Sequence, residues 1–190
     1  MPELNPIFRA ALEIQSFCER NRWRFCLIGG VAVQRWGEPR LTVDVDLTLL
    51  TGFGQEEGFV DRLLREFAGR RPDSREFALQ SRVLLLQSSR GIPLDVALGA
   101  IPFEERTIER ASRYDFGQGC SLTTCSAEDL IVHKCFAGRD KDWMDVDGIL
   151  IRCKRQLNLS LIREELAPLL ALKNAGEDMS KLESKIARFL

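Results

Sequence analysis

The stretch Phe25–Leu50, FCLIGGVAVQRWGEPRLTVDVDLTLL, decides how the rest of the chain is read. Phe25 to Ile28 is an apolar run of strand character that stops at Gly29-Gly30. A short amphipathic helix follows, with Val33 and Trp36 on one side, and Gly37-Glu38-Pro39 turns the chain. From Leu41 the pattern changes to strict alternation, with Leu41, Val43, Val45 and Leu47 on one face and Thr42, Asp44, Asp46 and Thr48 on the other. Residues two apart on a strand project the same way with Cα atoms about 6.5 Å apart, so Asp44 and Asp46 converge their carboxylates. Such a pair of oxygen ligands suits a hard divalent cation, Mg²⁺ or Mn²⁺, whose other positions go to phosphate and water. Just upstream, Gly30 lets a phosphate approach the main chain, and the N–H groups of the helix start form an anion site. A phosphate cradle beside a pair of metal ligands points to a nucleoside triphosphate.

A duller explanation of the aspartates is the wet face of a half-exposed strand. Against it, Asp is depleted in strands, and two like charges on one face repel unless a cation lies between them. For the glycines the duller explanation is an ordinary strand-to-helix turn.

Gly29-Gly30, then eleven intervening residues, then Thr42-Val43-Asp44-Val45-Asp46 resembles the signature of the polymerase-beta-like nucleotidyltransferase superfamily. Arg40 and Thr42 just ahead of the pair resemble its abortive-infection toxin branch (AbiEii-like). The superfamily carries a third carboxylate on a later strand, and Asp95 in Ile92–Leu98, IPLDVAL, is the match. A second match to the toxin branch is helical: Lys134, then Arg139, Lys141 and Asp142, with Asp145 a turn later. The resemblance implies an α/β fold, a nucleotidyltransferase-type mixed sheet flanked by helices. It also implies a catalytic domain over residues 1–125 and a helical portion, 126–190, packing on it. It implies catalytic and metal roles for Asp44, Asp46 and Asp95, and nucleotide binding by Gly29, Gly30, Arg40, Thr42 and Lys134. Two divalent cations about 3.5 to 4 Å apart would stabilise the attacking and departing oxygens. Arg40 or Lys134 would neutralise the departing pyrophosphate. Lys134 and Asp142 read equally as helix-surface charges.

The 190 residues are 45% hydrophobic and 29% charged, the balance of an ordinary globular chain. A net charge of −1 gives no global case for nucleic-acid binding. An RNA acceptor would need a local patch, either Arg106, Arg110 and Arg113 or Arg152, Lys154 and Arg155, each of which also reads as a solvated helix face. The N-terminus lacks a basic leader ahead of an apolar core, and nowhere do eighteen apolar residues run together, so a cytoplasmic protein without membrane association is expected. The six cysteines form no framework and are expected as reduced core thiols.

Along the chain, helices are expected over residues 5–21, with Asn5 as cap and Pro6 first, and over 56–67. Phe77–Leu86 and Ile92–Leu98 read as a hairpin turning at Ser88–Gly91, which places Asp95 on a face with Pro93 and Ala97. A short helix from Pro102, strands at 114–116 and 121–124, and a helix capped by Ser126 follow. Two last helices are expected near 160–173 and 180–190.

Three other motifs fail. Cys120, Cys125, His133 and Cys135 match no standard zinc spacing, and residues 133 and 135 of one helix point nearly opposite ways. Asp145-Val146-Asp147-Gly148 would put Trp143 and Lys154 at ligand positions of a calcium loop. No glycine-rich loop ends in Gly-Lys-Ser/Thr. His133, the only histidine, reads as a partly exposed helix residue. The expected activity is Mg²⁺-dependent transfer of a nucleoside monophosphate from a triphosphate to an acceptor hydroxyl. By the toxin resemblance the acceptor is RNA such as tRNA, and a cognate antitoxin is the partner. A small-molecule acceptor, as in antibiotic-modifying relatives, is the alternative among enzymes. A retired transferase that binds nucleotide or a partner without turnover is the alternative from another class.

Overall fold

Asn5 opens the first helix, α1 (Pro6–Arg20): its side chain accepts a hydrogen bond from Ile7 N at 2.9 Å, and proline occupies the first helical position. The computed structural model describes residues 4–189. Leu190, where the last expected helix ends, and residues 1–3, where the leader reading begins, lie outside them. The helix buries Ile7, Ala10, Ala11, Ile14, Phe17 and Cys18 in the core.

The other elements are β1 (Phe25–Ile28), α2 (Gly29–Trp36), β2 (Val45–Leu50), α3 (Glu56–Glu66), β3 (Ala68–Gly69), α4 (Ser74–Ser81), β4 (Val83–Gln87) and β5 (Pro93–Gly99). After them come α5 (Pro102–Glu109), β6 (Ser112–Asp115), β7 (Ser121–Thr124), α6 (Ala127–Ala137), α7 (Asp140–Cys153), α8 (Leu159–Lys173) and α9 (Gly176–Phe189). Among the described residues the strands form one mixed sheet in the order β3-β4-β5-β2-β1-β7-β6. The α/β fold expected from the resemblance is therefore present.

The chain divides into two compact units, residues 1–31 with 41–125 and residues 32–40 with 126–190. In the first unit, Leu27 of β1, Val45, Leu47 and Leu49 of β2, and Leu94, Val96 and Leu98 of β5 face one side of the sheet. They join α1 and Val60 and Leu63 of α3 in a single core. On the opposite side, Gly99 lies against Thr48 and Glu104, so α5 covers that end of β2 and β5. The second unit is helical, with α6 at its centre: Leu130, Ile131, Val132 and Cys135 are all fully buried. Ser126 caps α6 by accepting a hydrogen bond from Asp129 N at 3.1 Å.

Two expectations from alternation and apolar content are corrected. The strand does not begin at Leu41: residues 37–44 are irregular, β2 starts at Val45, and Leu41 and Val43 are 87% and 66% exposed. Alternation alone does not make a strand where there is no neighbour to bond, and β1 meets β2 only as far as Ile28 opposite Asp46. Similarly, 77–86 is not one strand. Residues 74–81 form α4, which Arg82 ends in the left-handed conformation at φ 59° before β4 begins. Buried Ala78 shows the helical face that hides inside the apolar run.

Candidate active site

Within the first unit the sheet sets one row of residues side by side. Antiparallel pairing puts Ile28 of β1 opposite Asp46 of β2, and parallel pairing puts Asp46 beside Asp95 of β5. Antiparallel pairing then sets Asp95 against Leu85 of β4. Partners in register project to the same side, so Asp46 and Asp95 are neighbours, with Cα atoms about 4.8 Å apart by strand spacing. Valine and leucine on either side of each aspartate are buried in the core, which turns both carboxylates to the other face. Asp44 stands just before β2, two residues ahead of Asp46, and Thr42 Oγ1 lies 3.1 Å from its Oδ1.

The glycine pair fits this row closely. Gly29 starts α2 at φ +57°, and a Cβ built there would lie 1.9 Å from Asp46 Oδ2. A Cβ on Gly30 would lie 2.2 Å from Thr42 Oγ1. The sequence reading gives the room beside the glycines to phosphate; in the structure Asp46 and Thr42 stand there, one against each glycine.

Arg70 is the residue that the sequence reading missed. Pairing of Ala68 with Gln87 and Gly69 with Leu86 continues into a hydrogen bond from Arg70 N to Leu85 O at 3.0 Å. Arg70 thus extends the row by one place, and its Nη2 donates to Asp95 Oδ1. Finding it requires the register of β3, a strand of only two residues that an assignment of strand over 77–86 leaves no way to place. Burial raises the Asp95 pKa above the usual carboxylate range; Arg70 pulls it down, and the nearby charge of Asp44 adds to the rise.

The donor set is of the kind that a hard divalent cation takes: two aspartates in register and a third two residues away, all oxygen. Among the described residues no three acidic, cysteine or histidine side chains stand closed around one metal-sized point. Bare carboxylates repel, and Asp95 is turned to Arg70 while Asp44 meets Thr42.

The structure places Arg40 and Lys134 in the second unit, where they share a carboxylate. Arg40 donates Nε and Nη2 to the two oxygens of Asp145 at 2.6 and 2.8 Å. Lys134 Nζ lies 2.8 Å from Asp145 Oδ2 and 3.1 Å from Asp142 Oδ1. Arg139 forks onto Asp142 at 2.6 and 3.2 Å. Lys134, Asp142 and Asp145 are buried, so these are not the helix-surface charges of the duller reading. Burial pushes both carboxyls up, but hydrogen bonds from Arg139 and Lys134 to Asp142, and from Arg40 and Lys134 to Asp145, together hold both below the usual range. His133 is partly buried, and burial lowers its pKa to about 4.

Of the basic patches, Arg113 pairs with Glu19, and Arg152 donates to Gly37 O at 2.7 Å. Lys154 and Arg155 line a cavity of about 450 Å³ with Leu157, Leu159 and Phe189. Among the described residues no helix is long and apolar enough to cross a membrane.

Comparison of the sequence with curated proteins returned no match. Among solved structures, the chain is similar to an antigenic nucleotidyltransferase-like protein from Paracoccidioides brasiliensis, with 17% identity, TM-score 0.51, and 98% of this chain and 96% of that one covered. It is also similar to the antibiotic-resistance factor ANT(2'')-Ia, with 16% identity, TM-score 0.54, and 92% and 96% covered. At those identities the likeness is one of fold. The family model described as "Nucleotidyl transferase AbiEii toxin, Type IV TA system" matches residues 19–188. With nearly its whole length so matched, and a sheet that sets two aspartates side by side next to a glycine corner, the chain belongs to the AbiEii nucleotidyltransferase toxin family.

Proposed function

We propose that the protein transfers a nucleoside monophosphate from a nucleoside triphosphate to an acceptor hydroxyl, with RNA, tRNA included, as the acceptor class and a cognate antitoxin as its partner. The observation that carries the reading is the register of Asp46 with Asp95, beside a glycine corner in a chain of this family.

Asp44 and Asp46 would hold a divalent cation, Mg²⁺ or Mn²⁺, with Asp95 completing the oxygen set. When bound, such a cation screens the charge of the triphosphate and stabilises the oxygens that gain charge during transfer. Gly29 and Gly30 bring Asp46 and Thr42 against the start of α2, where main-chain N–H groups favour phosphate. The acceptor oxygen bonds to the α-phosphorus as the bond to the β-phosphate oxygen breaks. Pyrophosphate leaves, and the hydroxyl proton passes to a carboxylate oxygen of Asp95.

The test is to incubate the protein and Mg²⁺ with each labelled triphosphate and total cellular RNA, and to follow label in RNA and release of pyrophosphate. Label in a discrete RNA fraction, lost by about two to three orders of magnitude in Asp46→Asn, is the expected result. Pyrophosphate release without labelled RNA would redirect the search to small acceptors, and no release with any triphosphate would overturn the transferase reading.

A further inference from the structure

We propose that Arg70 is a positioning residue for Asp95: it holds the carboxylate in the row and has to yield it to an incoming divalent cation, so that the two compete. The proposal rests on the cation role given above to the aspartates.

The arginine is fixed at its root and loosely held at its tip. Its backbone is bonded to β4 through Leu85 O, and the next residue is clasped by Ser74, whose Oγ accepts from Arg71 N at 3.1 Å and donates to Arg71 O at 2.7 Å. Ser74 fits there because Gly69 has no side chain: a Cβ on Gly69 would lie 2.4 Å from Ser74 Oγ. Arg71 stacks on Phe77 of α4 with its guanidinium 4.4 Å from the ring centre. The Arg70 side chain must therefore cross the width of β4, so that two strand spacings, about 9.6 Å, separate its Cα from that of Asp95.

Its grip on Asp95 differs from that of the forked arginine pairs of the chain; one nitrogen on one carboxylate oxygen is also how the more exposed Arg20 meets Glu66 and Arg113 meets Glu19. Arg40, Arg71, Arg139 and Arg163 each present Nε and Nη2 together to both oxygens of one carboxylate. Arg70 offers Asp95 a single nitrogen, and its Nε is buried without a hydrogen-bond partner. A forked pair is satisfied as it stands, whereas this one leaves a donor unused and both groups partly open, with side-chain exposures of 26% and 33%. A single contact on an open carboxylate is the kind that a doubly charged ion displaces.

The test measures Mn²⁺ affinity without nucleotide, by the electron paramagnetic resonance signal of free Mn²⁺, in wild type, Arg70→Gln, Asp95→Asn and the double variant, with Asp46→Asn as reference. Circular dichroism confirms that each is folded. Arg70→Gln is expected to tighten Mn²⁺ binding by about three- to tenfold, the equivalent of one partly exposed charge-assisted hydrogen bond. The same substitution is expected to have no effect in the Asp95→Asn background. Affinity unchanged or weakened in Arg70→Gln, or a shift that persists without Asp95, overturns the proposal. If Asp46→Asn still weakens Mn²⁺ binding, that failure leaves the transferase reading standing. If neither wild type nor Arg70→Gln binds Mn²⁺, both fall. Should Arg70→Gln not fold, Arg70→Lys, which keeps the charge but shortens the reach, is expected to tighten binding by less.

Discussion

At the scale of single residues, Gly29 has two reasons to be glycine: its φ of +57°, and a Cβ position 1.9 Å from Asp46 Oδ2. Gly29→Ala has to push that carboxylate aside, and a misplacement near 1 Å at a reacting centre costs about 10²-fold in rate. The expected result is a loss of that order in RNA labelling, read against an unchanged circular dichroism spectrum. The sequence singles out the pair of glycines and the three aspartates by local pattern: a glycine pair that ends an apolar run, and aspartates at alternating positions among valines and leucines, where aspartate is uncommon. Arg70 has no such mark. An arginine in the Gly69-Arg70-Arg71-Pro72 connection is ordinary, and its meaning resides in a hydrogen bond to Leu85 that no local pattern encodes.

At the scale of elements, α6 and α7 share a buried cluster in which Lys134 serves two carboxylates. Lys134→Met leaves Asp142 and Asp145 each with one arginine partner, and is expected to cost about 2–3 kcal/mol in urea unfolding, because a partly stripped buried charge is expensive. His133, next along α6, gives a pH signature of its own. Its pKa falls from 6.5 to about 4 on folding, so between those values the unfolded chain binds a proton that the folded chain refuses. Stability therefore declines as pH drops from 6.5 toward 4, by up to about 2–3 kcal/mol, and His133→Gln flattens that span of the curve. The depressed Asp142 and Asp145 act in a separate window: their stabilisation is complete above the unfolded carboxylate pKa and is lost below it, as pH falls through their folded values. The helices themselves read plainly from caps and spacing, as at Asn5 and Ser126. The elements missed are those that length and neighbours decide: the eight-residue α4 inside an apolar run, and the two-residue β3.

At the scale of the whole molecule, all six cysteines are buried thiols outside any disulfide. Burial pushes the Cys18 thiol up to about 12, with Glu19 adding to it, and Cys120 to about 11, with Asp115 adding. None of the six is expected to react promptly with a thiol-specific dye in the native protein, and all six on unfolding; fast native reaction of any would contradict the packing. The sequence reading already expects reduced core thiols, and the structure buries all six. The pairing of β2 with β5 has one more consequence, for the length of the chain. Because neighbouring side chains alternate sides, Asp95 reaches its neighbour only while its distance from the last anchored residue keeps the same parity. Deleting or duplicating Leu94, the residue between Pro93 and Asp95, would rotate the acid inward and bring out Val96 in the first case and a leucine in the second. Related chains should therefore tolerate changes of residue type along this strand far better than insertions or deletions of odd size.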